Sequence, residues 1–287
     1  MSRFKTKLPV PLLGTFFLVL CVLPLTSEAT LTHYVPFDTG YPAGNSLGGS
    51  GGSDLGFGAN TWFDPGGAVV VAGNLTSPPG LAVAGNHASL APNGDFDLAF
   101  YTMDQDNDGN NGELGEDNLG AGVHWLSFLA RSDADAFFSG LSLVKFFGPE
   151  ILYIGKVGGQ GATQWGLDQG AAGAMAATGS DATQDTFLVA KLTIGPGAND
   201  DFVDLYVNPP LGLSPPGVAD ISGYAFNEDP ANNRAIDELR LGGQNGLPFM
   251  ADEIRIGTTF ADVAIPEPFS GVLLLGLSAM GLSWRIR

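Results

Sequence analysis

Short apolar or alternating runs recur along the middle of the chain, and Gly- and Pro-rich turns separate them. The segments 187–194 and 202–207 are rich in β-branched and aromatic side chains, as a half-buried strand requires. No long stretch has the period of an amphipathic helix. The pattern predicts nine strands, at residues 68–72, 95–103, 123–130, 141–147, 151–156, 187–194, 202–207, 236–241 and 251–256.

Nine short strands with almost no helix predict an all-β fold class. We expect a single antiparallel β-sandwich, or jelly roll, over residues 30–264. Two Gly-rich tracts, at 44–58 and 158–179, are predicted to be long loops. No internal domain boundary is evident within this body.

The N-terminal residues have the pattern of a secretory signal peptide. Three basic side chains within the first seven residues precede an apolar run at 8–25, and small residues follow at 27 and 29. We therefore predict a signal peptide at residues 1–29, cleaved after Ala29. The alternative is an uncleaved membrane-spanning helix, which three prolines in this region would interrupt.

The C-terminal residues 265–287 join a Pro-Glu-Pro triplet, an almost purely apolar segment at 269–284 and two terminal arginines. A helix over 269–284 spans about 24 Å, against about 30 Å for a bilayer core. Trp284 and Arg285 can reach the interface and cover part of the difference. We predict a transmembrane helix at 269–284, with the arginines cytoplasmic and the body outside.

These features resemble a PEP-CTERM sorting signal. The matching residues are Pro266, Glu267 and Pro268, together with the basic end formed by Arg285 and Arg287. In that family a membrane-embedded exosortase recognises the tail, in bacteria that make extracellular polysaccharide. The resemblance implies an exosortase-type enzyme and the secretion machinery as partners. It also implies an exported protein, either anchored to the inner membrane through the C-terminal helix or released to the extracellular matrix.

Short motifs in the body carry a second resemblance. They are Phe37-Asp38, Gly44-Asn-Ser-Leu47, Ser127-Phe-Leu129, Tyr153-Ile-Gly-Lys156, Tyr206-Val-Asn-Pro209 and Asp252-Glu-Ile-Arg-Ile-Gly257. In this order they are similar to PEP-CTERM proteins, common in planctomycetes, whose body is related to LamG-type, concanavalin-A-like jelly rolls. The resemblance implies a two-sheet antiparallel sandwich. It implies no activity, because this fold hosts lectins, hydrolases and inert adhesion modules alike.

Composition narrows the function further. The chain has 287 residues, 30 acidic and 12 basic side chains, and one cysteine. This balance argues against a nucleic-acid partner, and the single cysteine excludes a disulfide scaffold. The two end segments hold five basic and two acidic side chains, which leaves a body of 7 basic and 28 acidic ones with net charge −21. Such a body attracts cations, calcium in particular, or alternatively presents a solvated acidic surface that keeps a secreted protein soluble.

One acidic segment has the ligand spacing of a calcium loop. Oxygen ligands stand at every second position, and Gly109 allows a sharp turn. The twelfth position is Gly115, where a bidentate glutamate belongs, so completion of the shell requires an altered loop. Two interpretations remain open, a calcium-stapled β-hairpin and an acidic hairpin exposed to solvent. The candidate ligands are Asp104, Asp106, Asp108, Asn110, Glu113 and Glu116.

Aromatic and acidic residues are the other candidates for ligand binding or catalysis. Trp62 and Trp165 lie in predicted loops and are candidates for stacking on sugar rings, or alternatively for pinning Gly-rich coil. In the strand at 251–256, Glu253 and Arg255 share a face, on which we expect them to form an exposed polar ladder or to pair with the neighbouring strand. Neighbouring carboxylates on a strand point to opposite faces, which argues against a glycosidase pair at Asp252 and Glu253.

No catalytic motif is evident. The three histidines are isolated, and neither a Gly-x-Ser-x-Gly elbow nor a phosphate loop occurs. We therefore expect a non-enzymatic exported module that binds glycan or matrix polysaccharide, or has a structural role. The alternatives are a glycan-active hydrolase or lyase of concanavalin-A-like fold and a self-associating surface-layer or adhesion subunit.

Overall fold

The computed structural model describes most of the predicted body. The described residues are 31–51, 54–58, 60–90, 96–103, 118–136, 139–146, 148–159, 161–169, 175–197, 200–227, 235–244 and 248–264. The predicted signal peptide with its cleavage site at Ala29, the acidic loop at 104–116 and the sorting segment at 265–287 lie outside these ranges.

Within the described residues the fold has 14 strands and one short helix. The strands are β1 (Leu31–Val35), β2 (Val69–Ala72), β3 (Asn86–Leu90), β4 (Phe96–Thr102), β5 (Gly122–Ser132), β6 (Ser139–Val144), β7 (Glu150–Val157), β8 (Gln164–Asp168), β9 (Ala176–Asp181), β10 (Thr186–Ile194), β11 (Asp201–Val207), β12 (Ile221–Phe226), β13 (Glu238–Gln244) and β14 (Phe249–Gly257). The helix is α1 (Phe260–Ala264).

The strands form two antiparallel sheets. The eight-stranded sheet has the order β12-β11-β10-β5-β14-β3-β2, and β1 pairs with the second half of β14. The six-stranded sheet has the order β4-β13-β6-β7-β8-β9. The prediction of an all-β antiparallel sandwich is confirmed. No helix among the described residues has the length and apolar character needed to cross a bilayer.

The main core lies between the two sheets. Alternation along each strand sends every second side chain into it. In β13, Leu239 and Leu241 are buried in this core. Glu238 and Arg240 must therefore project from the opposite, outer face of the six-stranded sheet.

A second apolar layer covers the outer face of the eight-stranded sheet. Trp125, Phe187 and Tyr206 pack there beneath the loops that flank the sheet and beneath α1. Phe260 of α1 contacts Trp125 edge-to-face, with 5.3 Å between ring centroids. Asp262 Oδ2 accepts hydrogen bonds from the backbone N–H groups of residues 258 and 259, at 2.9 and 2.7 Å, and so fixes the start of the helix. The part of this face around Trp125 and Tyr206 is therefore covered by the chain itself.

All nine predicted strands are present, with shifted ends. The sequence pattern missed β1, β3, β8, β9 and β12. Two of these, β8 and β9, fall in the Gly-rich tract at 158–179, so the prediction of a long loop there is wrong. Its Gly and Ala residues are accommodated because β7 supplies a paired edge for β8, and β8 for β9.

The polar side chains of β14, Glu253 and Arg255, are 1% and 3% exposed, so the expectation of an exposed ladder is wrong, whereas the alternative of pairing with a neighbouring strand is found in the contact with β1. Glu253 has a left-handed backbone (φ 52°) at a bulge in the pairing with β5, which breaks the expected alternation. Its Oε2 accepts hydrogen bonds from Tyr34 Oη at 2.7 Å and from Arg255 Nη2 at 2.8 Å. Residues 74–84 cover the pair, and Ala84 N donates to Glu253 Oε1 at 2.8 Å. Glu253 and Arg255 therefore hold β1 and the segment at 82–84 on β14.

Candidate functional site

A row of side chains crosses the outer face of the six-stranded sheet at one level. Phe100 pairs with Arg240, Arg240 with Ser142, Ser142 with Tyr153 and Tyr153 with Asp168. The adjacent residues of these strands belong to the core, so all five side chains project outward. Together with the residue described next, they are called the outer row below.

Phe63 extends the outer row beyond β4. Its backbone pairs with Phe100 through two hydrogen bonds of 2.9 Å. The two rings have centroids 6.2 Å apart, and Phe63 is 67% exposed. The outer row therefore ends in an aromatic pair with an accessible ring face. Such a face can pack against the C–H groups of a sugar ring.

The centre of the outer row is a charged hydrogen-bonded group. Arg240 forms an ion pair with Glu150, and its Nη2 also donates to Ser142 Oγ at 3.2 Å. Ser142 Oγ donates to Glu150 Oε2 at 2.7 Å. Desolvation lowers the pKa of Arg240 to about 10, which leaves the guanidinium charged at neutral pH. The side chains of Arg240 and Glu150 are 17% and 22% exposed, so a ligand can still reach them.

The next level of the same face has glycines on four adjacent strands, β13, β6, β7 and β8. Gly242 pairs with Gly140, Gly140 with Gly155 and Gly155 with Gly166. The ring of Tyr153 uses this space, since a Cβ at Gly155 would lie 2.5 Å from Tyr153 Oη. Tyr153 thus lies flat on the sheet, and its Oη donates to the carbonyl oxygen of residue 156 at 3.0 Å. Burial raises the pKa of Tyr153, which keeps the phenol neutral.

A second carboxyl group stands on the same face one level away on the other side of the outer row. Glu238 pairs with Thr102 and is 5% exposed. Burial raises the pKa of Glu238 to about 7, and the hydrogen bond from Thr102 Oγ1 at 3.2 Å partly opposes that shift. Nearby, Lys145 forms an ion pair with Asp237. This face therefore carries two carboxyl groups of different character. Glu238 has a pKa near neutrality, whereas Glu150 forms an ion pair with Arg240.

The two tryptophans predicted to contact sugar are buried. Trp62 is 1% exposed and Trp165 is 0% exposed, so neither ring offers a face to a ligand and the prediction of exposed stacking residues is wrong. Trp62 Nε1 donates to Tyr41 Oη at 3.0 Å, inside the aromatic core. Trp165 lies on the core side of β8 because the adjacent Gly166 faces outward.

The residues of the outer row were missed because local pattern does not give strand partners. In the sequence at 238–242, Glu238 and Arg240 alternate with two leucines, so in a strand their side chains lie on the face opposite those leucines. The one further signal was Phe100, an aromatic residue at the outward-facing parity of its strand. Within the described residues no group of three His, Cys, Asp or Glu side chains is placed to hold a metal ion. The predicted calcium ligands at 104–116 lie outside those residues.

No protein-family model matches the chain, and no curated protein matches it in sequence. Solved structures do resemble it in shape. Domain 4 of AbnA, a GH43 extracellular arabinanase from Geobacillus stearothermophilus, solved with arabinotriose, gives a TM-score of 0.45 at 17% identity, over 83% of this chain and 99% of that one. The cellulose-induced protein Cip1 gives 0.43 at 12% identity, over 69% and 90%. The globular domain of T. cruzi calreticulin gives 0.42 at 12% identity, over 77% and 90%.

Proposed function

We propose that the chain is an exported protein whose β-sandwich binds a glycan or matrix polysaccharide through the outer row, without catalysing a reaction. The observation that carries the proposal is the accessible ring of Phe63 beside a fixed group of hydrogen-bonding side chains. Sugar sites combine an apolar platform with a few placed polar groups in this way. Arg240, Ser142 and Glu150 hold one another in position before any ligand arrives.

Charge favours a neutral polysaccharide as the ligand class. The predicted body carries a net charge of −21, which repels polyanions. Ser142 and Tyr153 are 2% and 6% exposed, so the accessible part of the outer row lies between Phe63 and Arg240. This part crosses two gaps between strands, or about 10 Å at about 4.8 Å each, and accommodates a short stretch of a sugar chain. The ligand we propose is therefore an extended neutral glycan rather than an acidic one.

Export and sorting complete the proposal and rest on the sequence. We assign residues 1–29 to a signal peptide and 265–287 to a PEP-CTERM signal read by an exosortase-type enzyme. We assign the body to the concanavalin-A-like, LamG-type jelly rolls that the sequence motifs resemble, and place it at the cell envelope or in the extracellular matrix.

Calorimetry with neutral and acidic polysaccharides tests the binding site. Phe63→Ala and Arg240→Met should each weaken binding of a neutral polysaccharide by at least about fivefold, as loss of one anchoring contact implies. Leu213→Ala, at a residue 78% exposed in a distant loop, is the matched control and should leave binding unchanged. Absence of binding to every polysaccharide would contradict the proposal and leave only a structural role.

A specific observation also supports a second candidate, a glycan-active enzyme. Glu238 and Glu150 stand on the same face with only β6 between their strands, so their backbones are about 10 Å apart. Glycosidases use two carboxyl groups about 5–10 Å apart, one of which donates a proton. Release of reducing ends from a neutral polysaccharide, abolished by Glu238→Gln while binding persists, would establish this candidate. No release by the wild-type chain would eliminate it.

A further inference from the structure

Turns at one end of the sandwich border an open pocket that the outer row does not include. Its volume is about 390 Å³. It lies where the end of β5 meets the turn before β10 and the start of β14. The side chains that define it are Arg131, Ser132, Asp133, Thr183, Pro248 and Met250.

Arg131 brings an incompletely satisfied guanidinium to this pocket. Its Nη1 donates to Asp185 Oδ1 at 2.9 Å. Among the described residues, the acceptor for its Nη2 is the thioether sulfur of Met250, at 2.8 Å. Thioether sulfur is a weak acceptor. A ligand oxygen in the pocket would give this N–H edge a stronger partner.

The other polar groups of the pocket are held in place by their own turns. Thr183 donates through its backbone N and its Oγ1 to Asp181 Oδ1, at 2.9 and 2.8 Å. Asp133 Oδ1 accepts from the backbone N of Asp135 at 2.9 Å. Ser132 is 3% exposed and is hydrogen-bonded to Ser139. These groups are therefore positioned before a ligand binds, which reduces the entropy cost of binding.

The combination of charged, polar and apolar side chains in the pocket indicates which class of ligand it can bind. A sugar hydroxyl can accept from Arg131 and donate to Asp133, while Pro248 and Met250 form an apolar wall for the C–H face of the ring. A sugar carboxylate would meet repulsion from Asp133 and from Asp185, which already neutralises Arg131. The volume lies at the small end of the range for ligand pockets, about 300–1,000 Å³, and suits one or two sugar units.

We infer that this pocket is a second saccharide site, which takes a single neutral sugar unit or chain end. Arg131 and Met250 face outward from the eight-stranded sheet, whereas the outer row lies on the outer face of the six-stranded sheet. The sheets of a sandwich pack about 10 Å apart, so the two sites point in different directions. One chain can then hold two glycan strands at once. This inference rests on the proposed function and extends it from binding to cross-linking.

The test uses the full chain and two readouts. Calorimetry or NMR titration with neutral monosaccharides, against glucuronic acid, reports on the pocket. Light scattering of a neutral polysaccharide reports on cross-linking. Thr183→Val and Arg131→Met should each weaken monosaccharide binding at least fivefold and abolish cross-linking, while polysaccharide binding at the outer row persists. Val218→Ala, at a residue 84% exposed, is the control and should change neither readout.

The outcomes separate this inference from the proposed function. No monosaccharide binding, or binding that neither pocket variant weakens, overturns the inference even if Phe63→Ala still weakens polysaccharide binding. Polysaccharide binding that survives Phe63→Ala but is lost in Thr183→Val overturns the proposed outer-row site and leaves the pocket as the glycan site. Thermal unfolding of each variant checks that it is folded.

Discussion

Buried carboxyl groups carry much of the chemistry at the scale of single residues. Asp54 accepts hydrogen bonds from Tyr41 and Tyr101 within the aromatic core, and burial raises its pKa. Asp252 is fully buried, and its Oδ2 accepts from the backbone N of Leu75 at 3.1 Å. Burial raises the pKa of Asp252 to about 8. These carboxyl groups hold loops and aromatic side chains in place, and we assign them no part in ligand binding.

Asp252 makes stability depend on pH in a defined direction. Its folded-state pKa of about 8 lies above the ordinary value of 3.8, so the folded state binds the proton more tightly. That contribution is complete below about pH 4 and is lost as the pH rises toward 8. Asp252→Asn cannot ionise. Between pH 4 and pH 8 its free energy of unfolding, relative to wild type, should rise by at least about 1.4 kcal/mol, the equivalent of one pKa unit.

Urea unfolding of both proteins at pH 4, 6 and 8 measures this difference. A difference that stays constant across the three pH values would show that Asp252 ionises normally in the folded protein.

The burial of single residues was harder to predict than the strands that contain them. Trp165 lies in a Gly-rich tract whose composition gave no indication of β8. Without that strand, the sequence could not show on which face of the sheet the ring lies. Trp62 lies outside the named strands, and its position depends on Tyr41 and Tyr101, which are distant in sequence. Phe63 is exposed only because its neighbour Trp62 takes the inward direction. In each case, contacts with residues distant in sequence determine whether the side chain is buried or exposed.

At the scale of elements, the sequence predicted strands wherever β-branched or aromatic residues alternate. It missed β9, whose sequence AATGSD has low strand propensity, and β3, whose sequence is NHASL. These segments are strands because neighbouring strands offer them unpaired backbone groups. The bulge at Glu253 was equally invisible, because its left-handed backbone is held by hydrogen bonds from Tyr34 and Ala84.

Tyr153 requires glycine at the neighbouring level of the six-stranded sheet, because its ring occupies the space that a Cβ would take. A Cβ at Gly155 would lie 2.5 Å from Tyr153 Oη and 2.6 Å from the carbonyl oxygen of residue 139. Gly155→Ala should therefore lower the free energy of unfolding by about 1–3 kcal/mol. Gly212→Ala is the matched control, since a Cβ there meets nothing within 4 Å. Thermal or urea unfolding of the two variants compares them, and equal stability would refute the packing argument.

The acidic loop at 104–116 gives an element-scale prediction that rests on the sequence. If the loop binds calcium, the ion should raise the melting temperature of the wild-type chain, because it binds the folded state. Asp106→Asn with Asp108→Asn should remove that increase, because each change removes a charged ligand. Melting curves with calcium and with a chelator measure the effect. An undiminished calcium effect in the double variant would exclude this loop as the site.

The whole molecule has two unlike faces. The eight-stranded sheet is covered by α1 and by loops that form a second apolar layer. The six-stranded sheet carries the outer row, with the exposed ring of Phe63 at one end and the ion pair of Arg240 with Glu150 at its centre. α1, which the predicted sorting segment follows in sequence, lies on the covered side. In the proposed arrangement the outer row therefore binds glycan on the face opposite α1.

Hydrogen exchange of the full chain, with and without a saturating neutral polysaccharide, tests most directly whether the outer row is the binding site. We predict slower exchange at the backbone amides of residues 61–63, 98–102 and 238–242, where the ligand lies against the sheet. Amides beneath α1, at residues 125–129, should exchange unchanged. Protection confined to the covered face, or no protection at any amide in the presence of bound polysaccharide, would contradict the account.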